Sequence, residues 1–247
     1  MSRRLPTHPR ELRSQGTWAL VDQIFSSGTN FVPSLILARL LGPQNYGTFS
    51  VAFLAWFFAL SVIRSAFMQP YTLAASTLEQ SEWRELTSRA SGVVLVAGVA
   101  ATVVFAIAGL VVGISSEFGR SLGAVAVCAP GLALQGFWRA ASFASRRART
   151  AAANDCYWAV GQTLAFAVVL LTTRVTAAES LIAWGAGAWL AAVLGLAQLS
   201  VKPCIDRASL GLARQWLRVG VWFTLANVSF SAGLLGVAAI VAVEAGY

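Results

Sequence analysis

Histidine occurs once in this chain, at His8, and cysteine three times, at Cys128, Cys156 and Cys204. That inventory holds no metal-ligand spacing, and no metal or other cofactor is expected. No disulfide is expected either, because Cys128 falls in an apolar run and Cys156 and Cys204 in segments assigned below to the reducing cytoplasmic side. Charge is scarce as well: 11% of residues are Asp, Glu, Lys or Arg, against about 25% in ordinary soluble domains. Hydrophobic residues make up 57%, the composition of a membrane protein. Alternating period-2 strands are absent, which excludes a transmembrane β-barrel and leaves helices.

Seven apolar runs reach the roughly 20 residues that a crossing needs. They are Thr17 to Leu41, Tyr46 to Gln69, Gly92 to Ile114, Ser121 to Ser145, Tyr157 to Thr173, Leu181 to Ser200 and Val219 to Val243. The fold class is therefore all-α, a polytopic membrane helix bundle.

The net charge of +8 follows the loops. With the N-terminus inside, Arg3, Arg4, Arg10, Arg13, Arg84, Arg89, Arg146, Arg147, Arg149, Lys202, Arg207, Arg214 and Arg218 lie on the cytoplasmic side, and only Arg39, Arg120 and Arg174 on the other. This asymmetry sets the orientation by the positive-inside rule. The basic excess reads as topology, and no nucleic-acid partner is expected. The first apolar run is too long for a cleaved signal peptide and lacks a small-residue cleavage pattern, so it reads as a retained anchor.

Residues 1–16 form a basic cytoplasmic tail, 17–200 a six-span N-terminal lobe, 201–218 a cytoplasmic amphipathic connector and 219–247 the first span of a second lobe. The outer connections, GPQN at 42–45, SSEFGR at 115–120 and RVTAAES at 174–180, are too short for a catalytic domain. Of the inner ones, the segment from Ser76 opens with a Ser-x-x-Glu capping box (Ser76, Glu79) and reads as a short interfacial helix. The segment from Asp206 places Leu212 and Trp216 on one side, with Arg207, Arg214 and Arg218 available to lipid headgroups. A shift of 205 positions lays the seventh run on the first, matching Leu20 with Leu225, Phe25 with Phe230, Ser26 with Ser231 and Gly28 with Gly233. Both runs point outward, so the repeat is parallel. An outward crossing at the chain's end reads as truncation within a second lobe, or as a half-size protein that pairs with a second copy.

Three spans carry polar stripes at helical spacing. Span four offers Cys128, Gly131, Gln135, Arg139 and Ser142; span two Ser50, Phe57, Ser61, Arg64 and Met68; span one Asp22, Ser26, Asn30 and Pro33. Arg139 precedes Arg146 by seven residues and so lies roughly 10 Å deeper in the helix. A guanidinium at such depth costs at least roughly 2.5 to 3.5 kcal/mol on insertion scales. Three arrangements compensate it: snorkelling to the interface, an ion pair with Asp22, or a shared water-filled cavity. The polar neighbours Gln135, Ser142 and Ser61 favour the cavity, because a lipid-facing snorkeller has no use for them. Asn30, on the stripe of span one, is a further candidate for binding the cargo. Planar, doubled donors suit phosphate, so the expected cargo is an anion with an apolar tail, such as a polyprenyl pyrophosphate carrying sugars. Asp22 is open between a coupling-ion or proton site, an arginine partner and a helix cap. Gly185, Gly187, Ala188, Ala191 and Ala192 read as a close-packing face. Of Trp18, Trp56, Trp138, Trp158, Trp184 and Trp222, most read as interfacial anchors and some as platforms for sugar rings.

The segment TWALVDQIFSSGTNFVPSLILARLLGPQNYGTFSV, Thr17 to Val51, resembles the first hairpin of polysaccharide and O-antigen flippases in the multidrug/oligosaccharidyl-lipid/polysaccharide exporter superfamily. The stretch LAR-LLGP-x-x-YG, Leu37 to Gly47, carries most of the likeness, and LQGFWRAASFASRRARTAAAND is similar to the fourth-helix end and following loop of that family. The resemblance spans the whole chain as the first seven of twelve or more helices. It implies two six-helix lobes around a cationic cavity that rock between inward-open and outward-open states, with Arg64 and Arg139 as candidates for the charge. Arg39 belongs to the motif but lies off the polar stripe, which suits a structural or gating role. The implied function is translocation of a lipid-linked oligosaccharide across a bacterial inner membrane without covalent chemistry, with membrane lipids and a polysaccharide polymerase machinery as partners. A cation-coupled small-molecule exporter, a glycan-polymerising membrane enzyme and a non-transporting assembly subunit are the competing readings.

Overall fold

A computed structural model describes the backbone of residues 9–172 and 174–244 and the side chains of residues 35–172 and 174–226. Helix α1 runs Pro9–Ile63 and passes into a π-helical turn, Arg64–Met68, followed by α2 (Gln69–Ala75), α3 (Gln80–Val112), α4 (Glu117–Ala144), α5 (Ala148–Thr172), α6 (Ala177–Leu199) and α7 (Arg207–Glu244). No strand occurs among the described residues. Five segments of the described chain are long and apolar enough to cross a membrane: Leu35–Ala75, Gln80–Val112, Glu117–Ala144, Ala148–Thr172 and Ala177–Leu199. They correspond to spans two to six of the sequence reading. The chain is a multi-pass membrane protein with an all-helical bundle. Most of the first and seventh expected spans, and the repeat that relates them, lie outside the residues whose side chains are described.

Helix boundaries depart from the apolar runs in several places, and α7 starts at Arg207, inside the expected connector and twelve residues before the expected Val219. Spans one and two are joined at Gly42, whose φ of 69° and ψ of 168° are non-helical; a positive φ there suits glycine alone among common residues. The expected interfacial helix after Ser76 is instead the start of α3, which continues unbroken to Val112 because no Pro intervenes and its internal glycines do not break it. Its cap is also displaced: Glu79 is the N-cap and Glu82 the reciprocal residue of the capping box, whereas Ser76 closes α2 by donating to the Leu73 carbonyl at 2.9 Å. Two carboxylates at the positive end of the helix dipole favour that choice. Helix α5 begins at Ala148, nine residues before the expected Tyr157, because its alanine-rich start is strongly helix-forming and Arg146, at φ 60°, ends the turn between α4 and α5.

Helix α4 is the axis of the bundle, with α3 and α6 packed on it and α5 packed on α6. The α6 face of Gly185, Gly187, Ala188, Ala191 and Ala192 is buried throughout. A Cβ at Gly185 would lie 2.0 Å from Cys128 Sγ, and one at Gly195 2.3 Å from Trp138 Cδ1, so these helices meet at distances that only glycine permits. Trp56, Trp138 and Trp184 are core residues, which corrects the expectation that most tryptophans are interfacial anchors. Packing places them there because their apolar rings fill gaps between helices; the Trp138 indole donates to the Ala192 carbonyl at 3.0 Å. Trp222 is exposed, and Trp18 lies outside the described side chains.

One end of the bundle gathers the basic connections. Cys204 N donates to the Ser88 carbonyl at 2.9 Å and Ser88 Oγ to that of Lys202 at 2.6 Å. Arg89 Nε lies 3.5 Å from Asp206 Oδ2. Asp206 also accepts from Ser209 N at 2.7 Å; these Ser209 bonds, helped by Arg89, hold its carboxyl below the usual carboxylate range. At the opposite end the connections are short, and Glu117 Oε1 accepts from Ala177 N at 2.9 Å.

Candidate anion-binding site

The π-helical turn has a local cause. Pro70 has no N–H for the Ala66 carbonyl four residues back, and its ring would collide with that carbonyl. The turn therefore widens, and Gln69 N–H reaches back to the Arg64 carbonyl instead. Single π turns of this kind recur at functional sites. Here the turn begins at Arg64, which it presents beside α4.

Arg64 and Arg139 line the same cavity of about 260 Å³, together with Gln69, Thr72, Gly136 and Phe143. Gly136 leaves the space open: a Cβ there would meet Met68 Cε only at 3.7 Å. A deeper recess of about 70 Å³ is also lined by both arginines, with Gln135, Asp155, Trp158 and Trp184. The Trp184 indole N–H is buried without a hydrogen-bond acceptor among the described residues, so an acceptor entering the recess would relieve a real penalty.

The two guanidinium groups differ. Arg139 Nε is 3.3 Å from Asp155 Oδ2 on α5, and its Cζ stands 5.8 Å from the Phe143 ring centroid, a cation–π distance. Gln135 Nε2 donates to the other Asp155 oxygen at 2.9 Å, tying the carboxylate to α4 one turn before Arg139. Arg64 is exposed, and no carboxylate of the described residues lies within ion-pairing distance of it. Among the described residues, two positive groups and one negative group therefore face the joint cavity.

Among the residues expected from sequence, Arg64, Arg139 and Gln135 converge. Ser61 is half-buried and Ser142 buried, and neither lines these cavities, although they share helices with the arginines. Asn30 and Asp22 lie outside the residues whose side chains are described. Asp155, Gln69 and Thr72 were not expected. Asp155 lies before the apolar run that opens at Tyr157, yet Ala148, Ala151, Ala152 and Asp155 are all buried at the three-and-four spacing of a helix face, a signal present in the sequence. Among the described residues no group of three or more His, Cys, Asp or Glu could hold a metal ion.

No family model, curated protein or solved structure matches this chain.

Proposed function

We propose that this protein moves an amphiphile with a phosphate-bearing headgroup across the bacterial inner membrane by alternating access, as a flippase for a polyprenyl-pyrophosphate-linked oligosaccharide in cell-surface polysaccharide synthesis. The observation that carries this reading is the cavity shared by Arg64 and Arg139 between helices long and apolar enough to cross a membrane. A guanidinium at that depth is costly, and an anionic cargo would repay it through charge-assisted hydrogen bonds. The likeness of Leu37 to Gly47 to the flippase hairpin supports the same class. By the loop charges the N-terminus is cytoplasmic, so the basic end of the bundle faces the cytoplasm and cargo enters there.

The enzyme reading needs an acid or base at the outer end. Among the described side chains Glu117 and Glu179 are the carboxylates there, and both are engaged in capping α6, which weighs against it. A cation-coupled exporter gains one buried carboxylate, Asp155, but that group is paired with Arg139.

The test is reorientation of a fluorescent polyprenyl-pyrophosphate oligosaccharide between leaflets of proteoliposomes. Wild type accelerates it and Arg64→Ala reduces the rate at least tenfold while inserting normally. Equal rates in protein-free and protein-containing vesicles would reject the proposal.

A further inference from the structure

Asp155 has no role in the cargo reading so far, yet of the titratable side chains described at the site it is the most buried. Its side chain is 3% exposed, against 26% for its partner Arg139. The carboxylate is anchored from α5 and is held in turn by Gln135 on α4. Arg139 meanwhile lines the open cavity beside Arg64. The guanidinium thus sits between two claims: a fixed internal carboxylate on one side, and on the other the space into which a phosphate would come.

We infer that Asp155 is an internal counter-anion that competes with the cargo phosphate for Arg139, setting how tightly the site holds its ligand and so allowing release. This inference rests on the proposed cargo class and adds the residue that tunes it. A site with two unopposed guanidinium groups would bind a pyrophosphate strongly and let go slowly. A transporter has to release on the far side, so its binding energy must be limited. The resident carboxylate does this in two ways. It lowers the positive charge that the phosphate meets, and it gives Arg139 a partner to return to when the ligand leaves. The Gln135 bond holds the carboxylate in place so that it does not follow Arg139 toward the cargo.

The consequence has an unusual sign: removing a polar contact strengthens binding. Inorganic pyrophosphate is titrated into the full chain in nanodiscs of zwitterionic lipid at low ionic strength. Asp155→Asn keeps the shape and the Gln135 bond but removes the charge, and is expected to bind pyrophosphate about tenfold more tightly or better, given that one charge a few ångströms away is removed at intermediate dielectric. Asp155→Glu restores the charge and binds as wild type, a rescue that a packing role would not predict from the longer side chain. Arg64→Ala and Arg139→Ala bind at least tenfold more weakly. Should Asp155→Asn fail to fold, Asp155→Ser carries the same expectation of tighter binding. Unchanged or weaker binding by the neutral variants, with both arginine variants impaired, overturns the counter-anion role and leaves the cavity reading standing. Binding that ignores both arginines overturns the cavity reading itself.

Discussion

Arg139 and Asp155 form a pair whose members are unequally buried, 26% and 3% exposed, and this inequality makes the cost of breaking it one-sided. Arg139→Ala strands a carboxylate in the bundle, a loss of about 3–5 kcal/mol for buried pairs. The double variant Arg139→Ala with Asp155→Asn should regain most of that, because no uncompensated charge remains. Arg64→Ala removes an exposed group with no ion-pair partner among the described residues and should cost less than about 1 kcal/mol. Thermal unfolding in detergent checks all three; additive losses in the double variant would show that the pair is not coupled. At this scale the sequence was informative for charge and poor for partnership. Arg64, Arg139 and Gln135 stood out as polar groups in apolar runs. Asp155 did not, because three arginines at 146, 147 and 149 made the stretch before Tyr157 resemble a loop. Its true setting follows from a helix start that depends on alanine propensity and the Arg146 turn, not on hydropathy.

Helix contacts in this bundle are set by glycine positions that differ sharply in their surroundings. A Cβ at Gly185 would run into Cys128 Sγ, whereas one at Gly123 on α4 meets nothing within 4 Å. Gly185→Ala should therefore push α6 off α4 and cost about 1–3 kcal/mol, as overpacking does. Gly123→Ala should be neutral or stabilising by up to about 1 kcal/mol through helix propensity. Unfolding midpoints of the two variants give the comparison, and equal losses would contradict the packing described. The close-packed face of α6 was legible from its small residues alone. The lengths of α3 and α7 were not, since hydropathy marks where a helix is apolar and says nothing about where its hydrogen bonds stop. The π turn was hidden for a similar reason: Pro70 sits at the end of an apolar run, and only the geometry of the Ala66 carbonyl shows how the helix adapts to it.

At the scale of the molecule, the apolar helices of the described residues pack so that a polar network, from Gln135 through Asp155 and Arg139 to the cavity shared with Arg64, crosses between α4, α5 and the π turn. Hydropathy and helical spacing were enough to place the helices and two of the charges, because both depend on local sequence. The pairing across helices depends on tertiary contact and was beyond that reach. The central claim is that the space between Arg64 and Arg139 is wet and attracts anions. It is tested most directly by placing a single cysteine at Gly136, where an added Cβ meets only ordinary contacts, in a background with the native cysteines replaced. Its reaction rates with a negatively charged and a positively charged water-soluble thiosulfonate are then compared. The account predicts reaction with both reagents, at least tenfold faster with the negative one, and loss of that preference in Arg64→Ala. No reaction with either reagent, or equal rates in the presence of Arg64, would contradict it.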